Sequence, residues 1–241
     1  MFKSLLMEFI GTFFLVFVFV ASGNALAVAA VLILMIYVGA YVSGGQYNPA
    51  VTFGLLVAGK LTNSKAVGYI ITQFLAGIVA IVALTTLGGR DIVVRPAESV
   101  TLLQAGLAEF LFTFTLVLTV FMTMVDRKFM ENSYYGIAVG LNILVGALSV
   151  GAISGGAFNP VVGIAPQIYR LFTGGNMMFE FVSLYLVAPV FGGLMAAVVY
   201  TVLTSKEKPS HEHDEHKHTE EKHHHHPVDE INLDALVTPA N

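Results

Sequence analysis

Cysteine and tryptophan are both absent from the 241 residues, and only 12% of the chain is charged. Without cysteine there is neither a disulfide framework nor a thiolate metal site. Histidine is missing from everything before His211, so residues 1–210 hold no imidazole to act as general base or metal ligand. With no paired acids that a fold would bring together, an enzyme is not expected, and no cofactor is implied. The formal charge of −4 is unevenly placed: nine acidic and four basic residues lie from Ser205 onward, which leaves the remainder slightly basic. Nothing there suggests a nucleic-acid partner. What the chain has in excess is apolar sequence, 56% hydrophobic with a mean hydropathy of +0.76, well outside the soluble range.

Six apolar runs are long enough to cross a bilayer: Leu5 to Ala21, Ala25 to Val42, Ala66 to Leu87, Leu102 to Val125, Tyr134 to Val150 and Phe179 to Leu203. A spanning helix needs about 17–25 residues. The first run follows Lys3 and could pass for a secretion signal. Glu8 inside it, and the spans that follow at once, identify it instead as the first crossing.

The spans are organised around a motif that occurs twice. Ser43-Gly44-Gly45-Gln46-Tyr47-Asn48-Pro49-Ala50 returns as Ser154-Gly155-Gly156-Ala157-Phe158-Asn159-Pro160-Val161. In each copy an Asn suited to cap a helix precedes a Pro suited to its first turn. The apolar runs behind them, Pro49 to Ala58 and Pro160 to Tyr169, would extend about 15 Å, half the hydrocarbon thickness. Each copy therefore predicts a re-entrant half-helix starting near the midplane.

Each half then contains three crossings, an odd number, so the second enters with opposite topology and the chain is an inverted repeat. Two more echoes support this: Glu8-Phe9 against Glu109-Phe110, and Tyr69 to Gly77 against Tyr185 to Gly193. The expected fold class is an all-α membrane protein of six transmembrane helices and two half-helices. Residues 1–204 are expected to form the transmembrane domain, with halves at about 1–90 and 100–204, and residues 205–241 a disordered, His-rich tail. Lys3, Lys60, Lys65, Arg127, Lys128, Lys206 and Lys208 fall on one side, Arg90, Arg95 and Arg170 on the other. Cytoplasmic loops hold the positive excess, so both termini are expected in the cytoplasm. The plasma membrane is the expected location, an internal membrane the alternative.

Two half-helix N-termini facing each other would each present about half a positive charge to the centre of a pore and repel cations. Asn48 and Asn159 could donate side-chain hydrogen bonds into the lumen. The carbonyls of Gly44, Gly45, Gln46, Gly155, Gly156 and Ala157 are candidates for a ladder of acceptors, since irregular backbone at membrane depth is tolerated where it lines a watery cavity. An intramembrane carboxylate needs donors; Glu8 and Glu109 are expected to hold the backbone N–H groups of the nearby loop. A proton relay, the alternative, would need further titratable groups in the spans. Asn142 is expected to bond a neighbouring helix, and Gly136 and Gly140 to mark close helix packing.

The paired boxes on half-helices, the six spans and a Glu in spans one and four resemble the major intrinsic protein family, the aquaporins and glycerol channels, over roughly residues 1–204. The resemblance implies a homotetramer with one pore per subunit, surrounded by membrane lipid and conducting water or small neutral solutes. It also places an outer filter at Val28, Ala147, Gly156 and Val162. Water-selective members have an Arg where Val162 stands, and a bulky aromatic and a His at Val28 and Ala147. Glycerol channels have an Asp where Gly163 stands. All four filter positions here are small and uncharged. A fixed cation at about 6 Å would repel another by roughly 3 kcal/mol; its loss argues against strict water selectivity. Val161, in place of the usual Ala, is expected to add bulk beside the midplane.

The tail contains His211, His213, His216, His218, His223, His224, His225 and His226. Its composition is that of a solvated, disordered segment, with weak divalent-metal binding or a pH-sensitive gate as functional alternatives. Two other readings of the whole chain remain: an inverted-repeat secondary transporter, and a non-conducting structural member of the family.

Overall fold

The structure, a computed structural model, describes residues 1–89, 93–126 and 132–205. Eight α-helices follow in order: α1 Phe2–Ser22, α2 Ala25–Ser43, α3 Pro49–Val57, α4 Asn63–Thr86, α5 Leu102–Val120, α6 Tyr135–Ser154, α7 Pro160–Phe172 and α8 Phe179–Thr204. A π-helical turn, Phe121–Val125, extends α5. Six of these segments are long and apolar enough to cross a membrane. The other two, α3 and α7, are the half-helices.

The helix ends follow from local chemistry. Asn24 caps α2, its side chain accepting from the Leu26 and Ala27 N–H groups. Thr101 and Gln104 form a reciprocal capping box at α5. Both helices that lead into the motifs stop at a left-handed glycine, Gly44 at φ 94° and Gly155 at φ 91°, a conformation that a side chain disfavours. α6 runs to Ser154, past the expected end at Val150, because Gly155 is the first residue to leave helical geometry. α7 continues through Arg170 to Phe172, longer than expected, whereas α3 stops one residue earlier than expected.

The helices pack as two interlocked copies. α1 lies on α4 and α2, and α5 on α8 and α6, while α2 and α6 meet between the halves. Each half-helix packs on the last long helix of the opposite half as well as its own: α3 on α8 and α4, α7 on α4 and α8. The α2–α6 contact is close because Gly136 faces the Tyr37 ring and Gly140 faces Ile33 and the Ala29 carbonyl. Large apolar side chains cover the outside, among them Leu103, Leu148, Val187 and Phe179. In water this would be an aggregation surface; against lipid it is the expected one.

Candidate functional site

Glu8 on α1 and Glu109 on α5 are fully buried, and each shapes one loop. The Glu8 carboxylate accepts from the Ser43 hydroxyl at 2.7 Å, the Gln46 N–H at 3.0 Å, the Tyr47 N–H at 2.7 Å and the Gln73 amide at 2.9 Å. Glu109 accepts from the Ser154 hydroxyl at 2.7 Å, the Ala157 N–H at 3.0 Å and the Phe158 N–H at 2.6 Å. Charge-assisted bonds of this kind are about twice as strong as neutral ones. They hold Tyr47 at φ 50° and Phe158 at φ 47°, left-handed conformations that cost a bulky residue about 1–3 kcal/mol.

That left-handed turn points the aromatic's N–H at the carboxylate and its C=O at the other box. Asn48 Nδ2 donates to the Phe158 carbonyl, and Asn159 Nδ2 to the Tyr47 carbonyl, both at 2.9 Å. The two boxes are thus tied to each other across the repeat. Each Asn also caps its own half-helix, Oδ1 accepting from the N–H of Ala50 or Val161. An amide nitrogen has two hydrogens, so one N–H on each Asn remains beyond the cross-link.

Asn48 and Asn159 line a cavity of about 30 Å³ between the two boxes, together with Gly45, Gln46, Gly156 and Ala157. Leu15, Phe19, Leu32, Val51, Leu116, Val120, Val139 and Ile143 are among its apolar lining. Space of that size holds about one water. Among the described residues, nothing donates to the carbonyls of residues 44–46 or 155–157. Gly155 lies on a wider vestibule of about 790 Å³, and Gly44 borders neither space.

Of the four filter candidates, Val28 and Gly156 border both spaces, Val162 only the narrow cavity and Ala147 only the vestibule. Ile143, one helical turn from Ala147 on α6, borders both and was not anticipated. Pro49, Ala50, Pro160 and Val161 border neither. Val161 adds its bulk away from both spaces. Its side chain is fully buried and points into α4, with Cγ1 occupying the room where a Cβ on Gly77 would stand.

The echo between the third and sixth spans acquires a physical cause. The Tyr69 hydroxyl donates to the Ser43 carbonyl, and the Tyr185 hydroxyl to the Ser154 carbonyl, so each tyrosine closes the end of the helix that leads into its loop. Gln73 was missed: it donates to Thr52 Oγ1 at 3.1 Å as well as to Glu8. A lone amide one turn beyond Tyr69 was the available signal. Asn142 departs from expectation in another way, since its buried amide oxygen has no partner among the described residues. The eight histidines, His211 to His226, lie outside the described residues.

Six spans and two half-helices meeting head to head around a central cavity define a multi-pass membrane protein of channel architecture. The sequence profile of the family described as "Major intrinsic protein" matches residues 1–200. A "Probable aquaporin TIP-type" from Medicago truncatula is 35% identical, covering 83% of this chain and 86% of its own length. "Aquaporin AqpM" from Methanothermobacter thermautotrophicus is 30% identical, covering 85% and 98%, and "Glycerol uptake facilitator protein-like 6" from Lactiplantibacillus plantarum is 32% identical, covering 85% and 100%. The X-ray structure of the aquaglyceroporin from Plasmodium falciparum superposes with a TM-score of 0.73 over 83% of this chain and 95% of its own, at 23% identity, a likeness of fold. The chain belongs to the major intrinsic protein family.

Proposed function

We propose that this protein is a passive channel for water and other small neutral solutes, with a path running from the vestibule through the cavity between the two Asn-Pro boxes. The observation that carries this reading is the state of Asn48 and Asn159. Both border the cavity, both have Oδ1 committed to their own half-helix, and both spend only one N–H on the cross-link. The second N–H of each is available to a passing oxygen or nitrogen. Two half-helix N-termini at the same place oppose cations. Aquaporin and glycerol-facilitator-like relatives support the solute class.

Val28, Ala147, Gly156 and Val162 form the outer filter in this reading, and its lack of fixed charge admits neutral solutes besides water. Glu8 and Glu109 hold the loops, and the unpaired carbonyls of Gly45, Gln46, Gly155, Gly156 and Ala157, residues that border the two spaces, act as acceptors along the path. The same reading includes a homotetramer with both termini in the cytoplasm, a channel domain over residues 1–204 and a solvated tail over 205–241. Val162→Arg tests the filter. In proteoliposomes its glycerol and urea fluxes are expected to fall relative to water; an unchanged ratio would remove Val162 from the filter.

A further inference from the structure

The face of the molecule at which α1 begins and α8 ends gathers positive charge. Lys60 Nζ lies 5.6 Å from the centre of the Tyr200 ring on α8, and Lys65 Nζ 5.5 Å from that of Tyr69 on α4. Gly68, in the turn after Lys65, faces the Met1 and Leu5 side chains, which brings the exposed Lys3 to the same face. Among the described residues no carboxylate pairs with any of the three lysines. α1 and α4 both start here with no acidic residue in the first turn and no side-chain cap, so their N-terminal N–H groups add to the attraction for anions. Asp126, brought to this face by the stacking of Phe121 on Tyr200, is buried.

Tyr200 stands about one turn before the end of α8 at Thr204, so the chain passes Lys60 as it leaves the helix. Residues 211–221 then contain five acidic residues, one lysine and four histidines, alternating over much of their length. Their side-chain charge is −4 with neutral imidazoles and zero with all four protonated. Glu212 is seven residues beyond Ser205, a reach of up to about 23 Å. We infer that residues 211–221 dock on the face formed by Lys3, Lys60 and Lys65 at neutral pH and leave it in mild acid. The contact is one of charge at the water-facing surface, so the tail stays solvated. The other titratable groups described at this face are the Met1 amine, Asp126, Tyr37, Tyr41, Tyr69, Tyr134, Tyr135 and Tyr200. None is an imidazole, the side chain whose charge ordinarily changes between pH 5 and 8.

The chain has no cysteine, so spin labels can be placed at chosen positions. The full chain with Ser64→Cys and Thr219→Cys, labelled at both, diluted with unlabelled chain and held in neutral-lipid nanodiscs, is read by double electron–electron resonance. Ser64 is exposed between Lys60 and Lys65. A short-distance population is expected at pH 7.5 and should be lost at pH 5.5. It should also be lost at pH 7.5 in 1 M salt, where the Debye length falls to about 3 Å. Glutamine at positions 211, 213, 216 and 218 should preserve it at pH 5.5, and Lys60→Gln with Lys65→Gln should remove most of it at pH 7.5. Where the lysine variant folds poorly, the salt series decides. No short distance at pH 7.5, or one that survives pH 5.5 or 1 M salt, would overturn the inference. Loss of the contact when phosphatidylglycerol replaces part of the neutral lipid would also overturn it, by assigning the lysines to anionic headgroups. None of these outcomes depends on whether the pore conducts.

Discussion

The two halves of this molecule share a backbone solution and differ in the side chains that support it. In both, a buried glutamate grips two consecutive loop N–H groups and a serine hydroxyl, and an aromatic residue in left-handed geometry passes its carbonyl to the asparagine of the other box. Around Glu8 there is a fourth donor, Gln73, itself bridged to Thr52. The aligned positions in the second half are Pro189 and Gly163, which have no side-chain hydrogen bond to give. Tyr47 adds a bond from its hydroxyl to the Met35 carbonyl at 2.9 Å, where Phe158 instead packs its ring on Phe112 with centroids 5.6 Å apart. The first loop is held by a polar network and the second by packing. Duplication preserved what the pore geometry requires and left the scaffold behind it free to diverge.

The largest effect should come from the clamp common to both. Glu109→Leu orphans the Ala157 and Phe158 N–H groups and the Ser154 hydroxyl; at about 1–3 kcal/mol per buried unsatisfied group, the protein should fail to reach a stable, conducting state. Glu8→Leu should be at least as damaging, since four donors lose their acceptor. Thermal stability of the purified variants, read by fluorescence-detected gel filtration, compares them. A variant at either site that keeps both stability and water flux would break the claim that the clamp is shared.

A smaller effect separates the two half-helix contacts. A Cβ on Gly77 would meet the Val161 side chain, whereas a Cβ on Gly193 would meet the Ala50 carbonyl. Overpacking of this kind destabilises by about 1–3 kcal/mol. Gly77→Ala should lower the melting temperature and be rescued by Val161→Ala. Gly193→Ala should be refractory to any change at residue 50, because backbone cannot be trimmed. Equal rescue at both sites, or at neither, would contradict the distinction.

The smallest effect makes the first loop resemble the second. Tyr47→Phe removes the hydroxyl that donates to the Met35 carbonyl and should cost about 0.5–1.5 kcal/mol with water flux retained. A loss of flux without a loss of stability would mean that the hydroxyl serves the pore and not the scaffold.

Much of this arrangement was legible in the chain because it was written twice. The Asn-Pro boxes, the glutamates and the tyrosines of the third and sixth spans recur in order, and repetition separates them from ordinary apolar sequence. The cross-link between boxes was not legible, because Asn48 and Phe158 are 110 residues apart and their meeting depends on two loops arriving at one depth. The direction of the Val161 side chain was not legible for a related reason. Which face of α7 meets the pore is decided by how α7 seats on α4, and that seating depends on Gly77, a residue whose role is visible only as the space it leaves. Ile143 escaped notice because a lining residue among so many aliphatic ones carries no chemical mark.

The central claim is that neutral molecules cross through the cavity bordered by Asn48 and Asn159, and stopped-flow light scattering on proteoliposomes tests it most directly. Vesicles containing the protein should shrink rapidly under an impermeant osmolyte and then re-swell in glycerol or urea, with fluxes linear in the gradient and weakly dependent on temperature. Shrinkage no faster than that of protein-free vesicles, or uptake that saturates and follows an ion gradient, would contradict it.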